Sequence, residues 1–158
     1  MSTPSVHEDT FRIERFYPAA PQRVFAAFAD PQRKRRWFAE GDSHEVEDFE
    51  MRFEVGGQEN LRYRLTAGTP FEGVQLAHRG AFLDIVPEAR IVTASTMEFG
   101  GRRISASLET FEFVAADGGT RLVLTHQAVF FEGADGPQMR RQGWQQLLER
   151  VDTALDDA

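Results

Sequence analysis

The sequence has no cysteine, so disulfides and thiolate chemistry are excluded. It has no apolar run approaching the ~18 residues of a membrane span. No apolar segment opens the chain, so no secretion signal is expected, and a cytoplasmic location is. Positive charge is in the minority: 18 Lys and Arg stand against 25 Asp and Glu, a formal charge of -7. That field speaks against nucleic acid and anionic membrane as partners. Trp and Tyr number only 2 each, whereas Phe reaches 14. Such aromatic volume fits a large core or an apolar cavity. There is no internal repeat and no low-complexity linker, and the length suits one domain, residues 1–158.

Residues 143–155 organise the rest. Trp144, Leu147, Leu148, Val151 and Leu155 recur at spacings of three and four, one stripe of an α-helix. The helix is expected from about residue 137, with Asp135 as N-terminal cap and Pro137 in the first turn. Upstream, residues 1–9 are polar and are expected to be loose. Residues 10–17 alternate as a strand, stopped by Pro18 and Pro21. A short helix covers 21–29. Asp30 caps a second, which begins at Pro31 and ends near Trp37 and Phe38. Its run Arg33, Lys34, Arg35 and Arg36 reads as a solvated helix face, ahead of a localisation signal or an anion patch.

The region 44–130 reads as strand. Segments 49–55 and 58–65 flank Gly56 and Gly57, a two-residue hairpin signal. A loop at 66–73 leads to a strand at 74–86, ended by Pro87. Segments 91–99 and 103–114 flank Gly100 and Gly101. Segment 120–130 follows Asp117 and Gly118. Hairpins make the sheet antiparallel. A long amphipathic helix after a run of strands needs that sheet to lie on.

This order of motifs resembles the superfamily of START and birch-pollen-allergen-like domains, called SRPBCC. The nearer resemblance is to the branch of homologues of the activator of the heat-shock-protein-90 ATPase. Pro21, Val24, Phe25, Asp30, Pro31, Trp37 and the pair Gly56 and Gly57 carry it, with PEARIV at 87–92, GGTRLVLTHQAVF at 118–130 and the helix from Gly143. It implies an α+β helix-grip fold: a curved antiparallel sheet of about seven strands wrapped around a long C-terminal helix. Two short helices follow the first strand, and a cavity lies between sheet and helix. It carries over no catalytic residue.

A register argument locates the interior. A two-residue turn at Asp117 and Gly118 sets Phe113 against Leu122, Phe111 against Leu124 and Glu109 against His126. Four large apolar residues then share one face. Continuing through Gly100 and Gly101 adds Ser107, Ser105, Thr96, Ala94 and Val92 to it. The candidate ligand-binding residues are Glu109, His126, Thr96, Ser107, Phe111 and Trp144. If adjacent and buried, Glu109 and His126 would share a charge-assisted hydrogen bond that favours protonated histidine. Pairing for solvation alone accounts for them equally well.

No metal and no cofactor is expected. His7, His44 and His78 show no ligand spacing with a carboxylate, and the Gly pairs close hairpins rather than cradle phosphates. No G-x-S-x-G nucleophile elbow is present. Three readings follow. The first is a carrier or binding protein for a small apolar or amphipathic ligand in the cavity. The second is an enzyme of acid–base chemistry in the same cavity, as in polyketide cyclases; a catalytic role ranks below binding. The third is a chaperone-associated interaction protein. Homodimerisation is left open.

Overall fold

The computed structural model describes residues 3–155. β1 (Val6–Tyr17) is followed by α1 (Pro21–Ala29) and α2 (Pro31–Lys34). α2 runs into a π-helical turn at Arg35–Ala39. Then come β2 (His44–Met51), β3 (Gln58–Leu65), β4 (Gln75–Val86), β5 (Arg90–Phe99), β6 (Arg102–Ala116) and β7 (Gly119–Phe131). α3 (Pro137–Arg150) tightens into a 3-10 turn at Val151–Ala154. The seven strands form one antiparallel, curved sheet in the order β1-β7-β6-β5-β4-β3-β2. This is the expected α+β helix-grip.

Local chemistry explains the helix starts. Pro21 and Pro31 occupy first-turn positions where the missing N–H costs nothing, and Asp30 accepts a bond from the Gln32 N–H. α3 starts differently from expectation. Gly136 is the cap residue, with φ 87°, and Asp135 instead grips Arg140 through two bonds of 2.8 Å. The guanidinium offers a bidentate partner that outcompetes a single backbone N–H. On α3, Trp144 and Leu148 are buried, and Val151 and Leu155 continue the apolar stripe at its end.

Backbone acceptors tie the helices to the sheet and to one another. The Tyr17 hydroxyl donates to Leu148 O at 2.6 Å, Trp37 Nε1 to Ala27 O at 2.8 Å and Arg33 to Ala154 O at 2.8 Å. Burial raises the Tyr17 phenol far above its ordinary range, so it stays a donor. The Phe-rich core runs between the layers. Phe28 meets Trp37, Phe111 and Phe113 with centroids 4.7–5.2 Å apart.

Three further expectations change. Residues 6–9 are strand, because β7 extends to Phe131 and offers them ladder partners. The turn around Gly56 and Gly57 is not a two-residue hairpin. β2 ends at Met51, and Phe53 turns inward against Phe25 and Phe82. The register through Gly100 and Gly101 slips by one residue. Glu98 pairs with Arg103 but Met97 with Ser105, leaving Ile104 as a bulge with its side chain buried. A one-residue bulge exchanges the faces of the paired strand beyond it. The inward residues of β5 are therefore Ile91, Thr93 and Ser95, not Val92, Ala94 and Thr96.

The turn at Asp117 and Gly118 has φ of 46° and 77° and pairs Ala116 with Gly119 as expected. Asp117→Pro should lower stability by more than about 1 kcal/mol, since proline is locked near a φ of −65°. Ala116→Ser should stay within about 0.5 kcal/mol. Equal urea midpoints for the two variants would refute this account of the turn.

Candidate functional site

The concave face of the sheet is polar at its middle and aromatic around it. Glu109 on β6 lies opposite His126 on β7, and both are buried. The two side chains do not bond each other; each is engaged by other neighbours. Glu109 Oε1 accepts from Thr93 Oγ1 at 3.2 Å and from Ser95 Oγ at 2.8 Å. Ser95 Oγ also lies 3.2 Å from Glu109 Oε2 and 3.4 Å from Ser107 Oγ. The bulge at Ile104 makes this possible, by turning Thr93 and Ser95 inward. Thr96 faces away, paired with Ala106, and leaves the candidate set.

His126 lies flat on Phe11, with centroids 4.5 Å apart and planes 7° apart. Its Nδ1 is buried without a hydrogen-bond partner. The Trp144 ring lies 6.5 Å away. Burial, and then the charge of Arg140, push its pKa down to about 4. Burial raises Glu109, only partly offset by His78 and the hydroxyls. The imidazole is therefore neutral at pH 7, and the expected protonated His126 beside Glu109 is not found. Phe111 and Trp144 wall the site, 5.7 Å apart edge to face, and Phe38 is 6.2 Å from Trp144.

A second polar cluster was missed in the sequence. Lys34 Nζ lies 2.8 Å from Glu59 Oε2, both side chains almost fully buried. His78 Nε2 lies 3.3 Å from Glu59 Oε1. The Lys34 ammonium also sits 4.6 Å from the Phe38 centroid and 5.0 Å from that of Trp37. Burial alone would raise the Glu59 carboxyl. The charge of Lys34, then the hydrogen bond and charge of His78, outweigh it and hold the pKa at about 2. So Lys34 is part of the interior, and the solvated-face reading of 33–36 fails at that residue.

Two sequence signals point to this cluster. Lys34, Trp37 and Phe38 are spaced i, i+3, i+4, one helical face. Glu59 is in phase with Leu61, which is buried. Gly80 completes the arrangement. It stands opposite Glu59 and Ser95, and a Cβ there would lie 3.1 Å from His78 Nε2. Its missing side chain lets the imidazole reach across the strand. Among the described residues no group of three His, Asp or Glu is arranged to hold a metal ion. No helix among them is long and apolar enough to cross a membrane.

Known proteins agree with this architecture. The family described as Activator of Hsp90 ATPase homolog 1-like protein matches residues 18–156. A protein from Rhizobium leguminosarum of known structure is 37% identical, with a TM-score of 0.89 over 99% of this chain and 100% of that one. Mll3558 from Rhizobium loti is 41% identical, with a TM-score of 0.83 over 95% of this chain and 99% of that one. An AHSA1-like protein from Aeromonas hydrophila, 20% identical, shares the fold at a TM-score of 0.69, over 95% of this chain and 97% of that one. No functionally curated protein matches. With the family match spanning nearly the whole chain and the helix-grip in place, this protein belongs to the Activator of Hsp90 ATPase homolog 1-like family, within the SRPBCC type.

Proposed function

We propose that the protein binds a small amphipathic molecule between the sheet and α3. Phe111 and Trp144 take its apolar body, while Glu109, His126 and Ser107 meet its polar end. One observation carries this reading: His126 Nδ1, buried beside Glu109 and without a partner. Buried polar atoms are nearly always satisfied, and an unsatisfied one costs about 1–3 kcal/mol. A ligand hydroxyl or N–H would remove that cost. Polar groups under aromatic walls are the usual form of a small-molecule site. Fold alone decides neither binding nor catalysis.

His126→Gln tests the role. The bond is to a neutral ring, so affinity for the small molecule that co-purifies should fall by about 0.5–1.5 kcal/mol. Native mass spectrometry identifies the molecule, and calorimetric titration of parent and variant measures the change. Thermal melts run alongside. In the parent, the depressed His126 contributes stability that is complete above its ordinary value of 6.5 and lost as pH falls through about 4. The variant should lack that part of the acid loss. Unchanged affinity with a lowered melting temperature would make His126 structural and sink the reading.

A further inference from the structure

We propose that the ligand of this site carries a positively charged amine, and that Glu109 is its counter-ion. This rests on the binding role proposed above and names the ligand's chemical class.

The interior already contains one such arrangement. The Lys34 ammonium lies against the Glu59 carboxylate, ringed by Phe38, Trp37 and Phe28 at 4.6, 5.0 and 5.5 Å. Glu109 repeats half of it. Its carboxyl is as deeply buried as that of Glu59, and Phe111, two residues on along the same face of β6, stacks edge to face on Trp144 at 5.7 Å. The ammonium is what differs. Glu109 is held by the uncharged hydroxyls of Thr93 and Ser95. Among the described residues no Lys or Arg nitrogen is within ion-pair distance of it. Lys34 is already engaged with Glu59, and His78, whose charge reaches Glu109 as well, is hydrogen-bonded to Glu59.

A buried carboxyl in this position has two low-energy states: it carries a proton, or it faces a cation from outside. The Thr93 and Ser95 hydroxyls lie 3.2 and 2.8 Å from Oε1, so both are placed to donate to a carboxylate once a cation faces it. An amine that supplies the cation finds two donors in place for the carboxylate and the Phe111 ring on the same face of the strand. A ligand carboxylate or phosphate meets the opposite. It would add a third acidic group beside Glu59 and Glu109, with the Lys34 charge already taken. The formal charge of -7 favours cations at long range as well.

The test is an isosteric series on the parent and on Glu109→Gln: 2-phenylethylamine, 2-phenylethanol and 3-phenylpropanoate, by calorimetric titration at pH 7. The amine should bind the parent at least about tenfold more tightly than the alcohol, with the propanoate weakest. One extra charge-assisted bond accounts for that ratio. Glu109→Gln should remove the preference of amine over alcohol. Far-UV dichroism and melts confirm the variant's fold; if it does not fold, the order of the three probes on the parent decides alone. Equal or tighter binding of the alcohol overturns the amine and leaves the binding role standing. So does retention of the preference in Glu109→Gln. If none of the three binds while a co-purified molecule does, the amine is again overturned. If nothing binds, the binding role falls with it.

Discussion

Lys34→Met should lower the free energy of unfolding at pH 7 by roughly 3–5 kcal/mol, the cost of stranding one member of a buried ion pair. The side chains of Lys34 and Glu59 are 4% and 3% exposed, so water cannot take the place of the missing charge. Methionine keeps most of the volume against Phe28, Trp37 and Phe38, which isolates the electrostatic loss from cavity formation. The double variant Lys34→Met with Glu59→Leu should recover most of the loss, since apolar replacement of a whole buried pair is often neutral. The pH dependence has a defined sign. Glu59 is depressed from 4.5 to about 2, so its contribution is complete above its ordinary value and disappears as pH falls through about 2. The gap between parent and Lys34→Met should therefore narrow between pH 4.5 and pH 2. Urea denaturation at pH 7 and near pH 3 measures both. A loss below about 1 kcal/mol at pH 7 would mean that the pair is solvated.

Trp144→Ala should cost a similar amount, roughly 3–5 kcal/mol, by a different mechanism. Trp144 is 8% exposed and touches three parts of the chain: Phe38 in the π-helical turn, Phe111 on β6 and His126 on β7. Its removal opens a void where α3 meets the site. Because the surrounding rings belong to different elements, they cannot collapse together to fill it. The same substitution should weaken ligand binding more than stability alone explains, which titration at a temperature well below both melting points separates. Trp144→Phe should retain most of the stability. If Trp144→Ala costs less than about 1 kcal/mol, the helix phase that places this residue inward is wrong.

What the sequence could determine was local or periodic. Proline and Asp30 set the starts of α1 and α2, because capping and a fixed φ act within a few residues. The spacing from Trp144 to Leu155 set the buried stripe of α3, and the turn at Asp117 and Gly118 set the register of Glu109 against His126. Counting across a two-residue turn needs no knowledge of the rest of the sheet. The tertiary structure decided what depends on a partner distant in sequence. The Ile104 bulge turned Thr93 and Ser95 inward and Thr96 out, since a buried isoleucine outweighs one regular ladder position. Phe53 left its hairpin to pack on Phe25 and Phe82. Lys34 entered the core because Glu59, on a strand 25 residues later, was there to meet it. A charge run reads as solvated until its counter-charge is located, and only the assembled sheet and helices locate it.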